Sequence, residues 1–116
     1  MSGSFLRRIL DKENVRDLVE DLEKLVEELV NRYKPSKIII AGSLAEGRFV
    51  RGLSDIDVLV VVGDVNLVGS RFELYNIKDV DVEVTIVSEE ELGEAVKSGR
   101  DFYVRVLEKG IVVYPR

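Results

Sequence analysis

The chain has 116 residues, of which 17 are lysine or arginine and 22 are aspartate or glutamate, so its formal net charge is −5. That length corresponds to one domain, and the negative charge disfavours broad, sequence-independent binding to nucleic acid, which needs a basic surface. Histidine and cysteine are both absent, which excludes a histidine general base and a zinc site with the usual nitrogen or sulfur ligands. A metal site would have oxygen ligands, which favours magnesium, manganese or calcium.

The composition also sets expectations about the surroundings of the protein. No apolar run approaches the roughly 20 residues that span a bilayer, and the N-terminal residues do not lead into the apolar core of a signal peptide. We therefore expect a cytoplasmic protein without membrane contact. Glutamine, cysteine and tryptophan are all missing, which is typical of thermophile proteins that avoid labile residues.

The first predicted element is a helix from about Asn14 to Tyr33. Its apolar residues recur every three or four positions and form one stripe, which we expect to cover a sheet. Asn14 is a candidate cap at the start of the helix, and Pro35 closes the far end. Residues 1–35 therefore form a predicted N-terminal helical region.

Two strands are predicted next. Lys37–Ala41 is brief, β-branched and bounded by proline and glycine. Residues 43–51 are predicted to form a short helix or turn. The second strand, residues 55–62, is apolar on both faces beyond its acidic start, which indicates a central position in the sheet. Residues 63–76 are predicted to be loop, with room for one helical turn.

The last third of the chain contains two more strands and two helices. A strand is predicted over residues 78–87, with acidic side chains on one side and apolar ones on the other. Ser88 and the three glutamates after it start a helix with a capping-box pattern, which runs to about Gly99. A second helix is predicted over residues 101–108 and a terminal strand over residues 111–114.

The order of these elements predicts the fold class. Helix, strand, helix, strand, strand, helix, helix and strand correspond to an α/β (α+β) fold, with a mixed β-sheet covered by helices. No internal repeat or linker interrupts the pattern, so residues 1–116 are expected to form a single domain.

The most informative motif has two parts. One is a turn that could hold a phosphate, and the other is a pair of acidic residues. Gly42-Ser43 lies between a predicted strand and a predicted helix, where free backbone N–H groups can hold a phosphate. Asp55 and Asp57 are two residues apart on a strand, so they face the same way at roughly 6.5–7 Å. Carboxylates this close repel each other unless a cation lies between them or one binds a proton. The combination indicates divalent metal ions and a phosphate-bearing substrate.

Simpler interpretations exist for each part. Gly42-Ser43 alone would be a tight turn with a serine cap, and the two aspartates alone would be solvated acids at a strand end. The segment that starts at Gly42 nearly matches the P-loop pattern, but Arg48 replaces its lysine and Phe49 its serine or threonine. No GxGxxG sequence follows a predicted strand, so the main sign of a dinucleotide-binding fold is missing.

The motif resembles the signature of a known superfamily. The residues that carry the resemblance are Gly42-Ser43, Gly47 and Ser54-Asp55-Ile56-Asp57-Val58-Leu59. They resemble the DNA polymerase beta-like nucleotidyltransferase superfamily, and in length the chain is similar to the minimal nucleotidyltransferases of prokaryotes. The resemblance implies a catalytic α/β core over residues 36–116. Within it, Gly42 and Ser43 would contact a nucleoside triphosphate, and Asp55 and Asp57 would bind two Mg²⁺ (or Mn²⁺) ions.

A third carboxylate would serve as a metal ligand or as general base for the attacking hydroxyl. Asp79, Asp81 and Glu83 are predicted to share one face of the third strand. Glu83 is favoured because of its distance from Ser88, where the family tends to begin a helix. Asp81 remains the alternative third ligand, since the family more often has aspartate at this position.

The residue that steadies the triphosphate is open at this point. Members of the family often have a basic residue directly after the alanine of the motif, whereas Glu46 follows Ala45 in this chain. The nearest cations are Arg48 and Arg51, which are therefore the candidate substrate-binding residues.

The resemblance implies a metal-dependent enzyme that moves a nucleoside monophosphate from an NTP to a hydroxyl acceptor and releases pyrophosphate. Minimal relatives are often paired with a separately encoded helical partner protein, including toxin–antitoxin pairs in which the partner is the acceptor.

The alternative to an enzyme is a non-catalytic, antitoxin-like or nucleotide-binding subunit of a two-protein complex. A nucleic-acid-modifying subunit would need a basic surface from a partner. A homodimer is a further option, with Phe5-Leu6 and Ile9-Leu10 as its apolar contacts.

Overall fold

The computed structural model describes residue 10 and residues 12–115. This part of the chain forms one mixed sheet of five strands with helices on both faces, which confirms the predicted fold class. The helices are α1 (Val19–Tyr33), α2 (Gly42–Ala45), α3 (Glu89–Lys97) and α4 (Asp101–Lys109). The strands are β1 (Lys37–Ala41), β2 (Ile56–Val62), β3 (Phe72–Ile77), β4 (Val80–Ser88) and β5 (Ile111–Tyr114). Short 3-10 turns cover Arg16–Leu18 and Val65–Leu67.

The strand order in the sheet is β3-β4-β2-β1-β5. Strands β2 and β4 run parallel, and the other three neighbouring pairs are antiparallel. The apolar strand β2 lies in the middle of the sheet, as its two-sided hydrophobicity predicted. The edges are β3 and β5.

The sheet is covered on one face by α1 and on the other by α3 and α4. The buried side of α1, which includes Leu22 and Leu29, packs against residues of the sheet such as Val60. On the opposite face, Leu92 of α3 and Val106 of α4 pack in a second apolar cluster with sheet residues. The sheet residues of that second cluster are Ile39, Ala41, Leu59, Val61 and Val87. Successive side chains of a strand point to opposite faces, so these residues identify the face that α3 and α4 cover.

Strand β3 corrects the prediction of a loop over residues 63–76. Residues Phe72–Ile77 pair with β4 in an antiparallel hairpin, whose turn contains Lys78 and Asp79. Lys78 has a left-handed backbone conformation with φ of 55°. Residues 78 and 79 therefore belong to the turn, and the strand predicted over residues 78–87 begins at Val80. The prediction that Asp79 shares a strand face with Glu83 was wrong, because Asp79 lies in the turn before β4.

The start of the first helix also differs from the prediction. The α-helix begins at Val19, after a 3-10 turn that begins at Arg16, and no side chain of the described residues caps either segment. The side-chain amide of Asn14 instead donates a hydrogen bond to the Phe49 carbonyl oxygen, at 3.2 Å. The proposed Asn14 cap was wrong because this residue ties the N-terminal segment to the loop after α2. The end at Tyr33 is confirmed, with Lys34 in a left-handed conformation.

Part of the predicted homodimer contact lies outside the described residues, namely Phe5, Leu6 and Ile9. Leu10 is described, and it is buried in the core beneath α1. None of the helices in the described ranges is long and apolar enough to cross a membrane.

Candidate functional site

The acidic residues and the glycine turn meet at one end of the sheet. Because β1 and β2 are antiparallel, the end of β1 lies beside the start of β2, and Ala41 is the register partner of Asp57. Because β2 and β4 are parallel, their early residues lie side by side, and Asp57 is the register partner of Glu83. Gly42 directly follows β1. The topology therefore brings together three segments that are far apart in the sequence.

The site lies on the sheet face that α3 and α4 cover elsewhere. Side chains alternate along β2, so Asp57 points to the same face as Leu59, which is buried in the cluster beneath these helices. Glu83 is on that face too, because its neighbours Val82 and Val84 are part of the core beneath α1. Asp57 and Glu83 are half-buried, and Asp55 is exposed. The carboxylates thus lie at the open margin of the covered face.

Gly42 allows Asp57 to lie against the turn. Its φ is 69°, in the left-handed region that favours glycine. A Cβ atom at this position would lie 2.3 Å from Oδ2 of Asp57, which is far inside van der Waals contact. Two physical features therefore require glycine at position 42: the left-handed backbone conformation and the close approach of the Asp57 side chain. The resulting contact places one carboxylate directly beside the turn that precedes α2.

The carboxyl groups raise one another's affinity for protons. The pKa of Glu83 is raised above its ordinary value by a hydrogen bond with Asp55, by burial, and by the negative charges of Asp57, Asp55 and Asp81. The pKa of Asp57 is also raised, mainly by burial and further by the charge of Asp55. Close like charges on a partly dehydrated surface account for both shifts. A cation between these groups would relieve this repulsion.

The carboxylate oxygens of the site are chemically suited to bind a hard divalent cation. Among residue 10 and residues 12–115, no group of three or more acidic side chains is already arranged to hold a metal ion. The repelling carboxylates Asp55, Asp57 and Glu83 nevertheless offer the oxygen ligands that Mg²⁺ and Mn²⁺ prefer. Asp55 is exposed, so its side chain can rotate without disturbing the core.

Asp81, the alternative third carboxylate, is placed farther along the strand. It is exposed, and its Oδ1 accepts a hydrogen bond of 2.9 Å from the side-chain amide of its register partner Asn76. Glu83 rather than Asp81 is the register partner of Asp57. Asp81 still acts on the site through its charge, which contributes to the raised pKa of Glu83.

The two predicted cations have different surroundings. All three guanidinium nitrogens of Arg51 donate hydrogen bonds within the chain, to Asp17, Asp79 and the Asn14 carbonyl oxygen. Arg51 thus joins the loop after α2 to the N-terminal turn and to the β3–β4 turn, and its pKa is raised by the two carboxylates. The structure does not bring it to the glycine turn with a free donor group. Arg48 instead pairs with Glu46, at 3.1 Å.

Sequence reasoning missed a second arginine at Glu46. Arg105 of α4 donates hydrogen bonds to both carboxylate oxygens of Glu46, one of them from Nε at 3.3 Å. These bonds, followed by those of Arg48, lower the pKa of Glu46 below its ordinary value. The two arginines are 57 residues apart, and no local sequence signal links them.

A groove elsewhere on the protein is separate from the acidic site. It has a volume of about 440 Å³ and lies where β4 ends and α3 meets α4, with Arg71, Glu91 and Tyr103 in its lining. The site carboxylates lie at the start of β4 instead. The groove therefore contributes nothing to the geometry described above.

Comparison with known proteins agrees with this arrangement. A family model described as a nucleotidyltransferase domain matches residues 22–113, most of the chain. A search of curated proteins finds no match. The matched residues include the glycine turn, all three carboxylates and both arginines that contact Glu46.

Proposed function

Because the chain belongs to the nucleotidyltransferase domain family, we propose that it moves a nucleoside monophosphate from an NTP to a hydroxyl acceptor and releases pyrophosphate, in a reaction that depends on Mg²⁺ or Mn²⁺. The observation that carries this proposal is the position of Asp57. It is in register with Glu83 on one side and in close contact with Gly42 on the other. A carboxylate pair and a phosphate-sized turn are thus adjacent.

The proposed roles follow from these positions. Asp55 and Asp57 would hold the divalent ions, and Glu83, the register partner of Asp57, would be either a third ligand or the general base. When bound, such ions would neutralise charge on the transferring phosphoryl group and activate the acceptor hydroxyl. Gly42 and Ser43 hold the triphosphate through the backbone of the turn. The protein thus acts through positioning and charge rather than through covalent chemistry.

The acceptor would approach from the side of β3. Leu74 is the register partner of Glu83, and Phe72 is the register partner of Thr85 on the same face. Both apolar side chains are exposed, Leu74 by 61% and Phe72 by 54%. They lie across Glu83 from the glycine turn, which we assign to the nucleotide. An acceptor with apolar or aromatic surface next to its hydroxyl suits this side of the site.

The acceptor is proposed to be a partner protein or an RNA, with a separately encoded helical protein as the first candidate. Exposed apolar side chains on α4, Phe102 and Leu107, support contact with another molecule. A nucleic acid would need a basic surface from that partner, because the net charge of the chain is −5.

The test is a search for covalent nucleotide addition. The protein and the product of the neighbouring gene would be incubated with each labelled NTP and Mg²⁺ or Mn²⁺, and mass spectrometry would look for a nucleotide-sized addition on protein or RNA. Addition that disappears in Asp57→Asn is the expected result. Folded protein that adds no nucleotide under any of these conditions is not an active transferase. Metal-dependent binding without transfer would favour the alternative, a nucleotide-binding subunit.

A further inference from the structure

A carboxylate next to the glycine turn gathers two arginines. The N–H of Glu46 donates to the Gly42 carbonyl oxygen at 3.0 Å, so Glu46 lies one helical turn beyond Gly42. Its side chain is only 10% exposed. Arg48 from the same loop and Arg105 from α4 both donate hydrogen bonds to it. We call these three residues the arginine cluster.

The arginine cluster has an excess of positive charge. The two guanidinium groups carry two positive charges against one carboxylate, and their lowering of the Glu46 pKa keeps that carboxylate ionised. The arginine side chains remain open to solvent, Arg105 by 56% and Arg48 by 61%. A guanidinium has five N–H donors. Glu46 accepts from Nε and Nη2 of Arg105. Within the described residues, the other N–H groups of this arginine are therefore available to a ligand.

The position of the cluster indicates which ligand it suits. An isolated carboxylate one helical turn from a bound polyphosphate would repel it, and pairing with two cations reverses the sign of the local charge. Glu46 contacts Gly42 through its backbone N–H and Arg105 through its carboxylate. It therefore links the guanidinium of Arg105 to the glycine turn from which a bound phosphate chain would extend. Arg51 has no comparable freedom, since all three of its guanidinium nitrogens are bonded within the chain.

From this geometry we propose that Arg105 of α4 binds the terminal phosphates of the nucleotide, with Glu46 as the positioning residue that fixes its guanidinium beside the glycine turn. Arg48 adds a second positive charge, and its Nη2 donates to Oε1 of Glu46, the oxygen that Nη2 of Arg105 also contacts. The inference rests on the proposed function and names the residue that distinguishes a triphosphate from shorter phosphates. It predicts that the contribution of Arg105 increases with the number of phosphates in the ligand.

Calorimetry with non-reacting nucleotides tests this proposal. The ligands are α,β-methylene ATP, α,β-methylene ADP and AMP, each with Mg²⁺, and the corresponding guanosine compounds are measured in parallel. Arg105→Gln should weaken triphosphate binding by about 5–30-fold, because it removes a charge-assisted hydrogen bond to phosphate. AMP binding should change by less than about twofold, and Arg105→Lys should restore part of the lost affinity because it keeps the charge.

The matched control is Arg100→Gln, which removes the same charge at the start of the same helix. Arg100 lies over the Tyr103 ring and belongs to the groove away from the acidic site. This variant should bind all ligands as the parent does. Equal triphosphate affinity in Arg105→Gln and the parent would overturn the inference alone. An equal loss for triphosphate and AMP would also overturn it, because a general disturbance does not depend on phosphate number. A parent chain that binds no nucleotide would overturn the proposed function as well.

Discussion

At Gly42 the backbone lies against the carboxylate of Asp57, to which we assign a catalytic role, and adding one carbon atom there gives a sharp prediction. In Gly42→Ala, the new Cβ would lie 2.3 Å from Asp57 Oδ2, so the carboxylate or the turn must move. Misplacement of a reacting group by about 1 Å can reduce the rate about 100-fold. We expect a loss of that size in kcat/KM for nucleotide transfer, measured with the acceptor that mass spectrometry identifies.

Gly47→Ala provides the matched control for this change. Gly47 also has a positive φ, 77°, but a Cβ there would have no atom of the described part of the chain within 4 Å. Both variants therefore incur the left-handed strain of roughly 1–2 kcal/mol, and only Gly42→Ala also displaces Asp57. Similar thermal stabilities with very different activities are the expected pattern. Equal activity in the two variants would show that the close contact at Asp57 has no role in catalysis.

The raised pKa values of Asp57 and Glu83 predict how stability depends on pH. A carboxyl group with a higher pKa in the folded state binds its proton more tightly when folded. Its contribution to stability is therefore fully present below the ordinary pKa, 3.8 for aspartate and 4.5 for glutamate, and is lost as the pH rises through the folded pKa. At neutral pH without metal, the ionised groups repel one another and destabilise the fold.

Glu83→Gln should consequently raise the Tm of the metal-free chain at pH 7 by about 2–5 °C, because it removes one of the repelling charges. Thermal unfolding with a chelator present, measured from pH 4 to pH 8, checks this. The gain should vanish at the acid end, and Mg²⁺ should stabilise the parent more than the variant. Glu27→Gln on the exposed side of α1 controls for net charge. A Tm gain that is independent of pH would contradict the electrostatic explanation.

Among the secondary-structure elements, those with strong local signals were predicted and β3 was not. Strands β1, β2 and β5 have bounds within one residue of the prediction, because each is a short apolar run that ends at a turn residue. The capping box of α3 formed as predicted, with Ser88 and Glu91 bonded reciprocally. These features depend on neighbouring residues alone.

Strand β3 has weak local signals of its own. Two of its apolar residues, Phe72 and Leu74, are exposed, and Ile77 at its end is the one residue of the strand that is fully buried. The hairpin turn has Lys78 in a left-handed conformation, where the usual signal would be asparagine or aspartate followed by glycine. The alternation of Phe72 and Leu74 with polar residues was the available sign of a strand. Pairing with β4 decides the structure, and this pairing is a property of the hairpin as a whole.

In the candidate site too, features set by neighbouring residues could be predicted from the sequence, and those set by contacts between distant residues could not. Strand geometry predicted that Asp55 and Asp57 lie close together. The charge of Asp55 does raise the pKa of Asp57, although β2 begins one residue later than predicted, at Ile56. The surroundings of the arginines depend on contacts across the chain. Arg51 pairs with residues 28 and 34 positions away, and Arg105 reaches Glu46 from 59 positions away. Sequence proximity to the motif therefore suggested Arg48 and Arg51. The fold bonds all three guanidinium nitrogens of Arg51 within the chain and brings Arg105 to Glu46 beside Arg48.

Across the whole sheet, the residues to which we assign functions lie in a row that follows the strand order. Along β3-β4-β2-β1 lie, in turn, the exposed Leu74, then Glu83, then Asp57, and finally the turn at Gly42. This linear order exists because β4 runs parallel to β2 while β1 runs antiparallel to it. Under the proposed function, the nucleotide occupies the β1 side and the acceptor the β3 side. The two substrates should therefore be separable by mutation.

Leu74→Ser tests that separation. It should lower kcat/KM for the acceptor by about fivefold, because loss of apolar contact of this size corresponds to roughly 1 kcal/mol. The Kd of Mg²⁺-bound α,β-methylene ATP, measured by calorimetry, should stay within about twofold, because distant sites act independently. Val112→Ser is the matched control, since Val112 is also an exposed apolar residue on an edge strand, at the opposite side of the sheet. Weaker nucleotide binding in Leu74→Ser would place the nucleotide on the β3 side and reverse the assignment. An unchanged kcat/KM would instead mean that the acceptor approaches Glu83 without contacting β3.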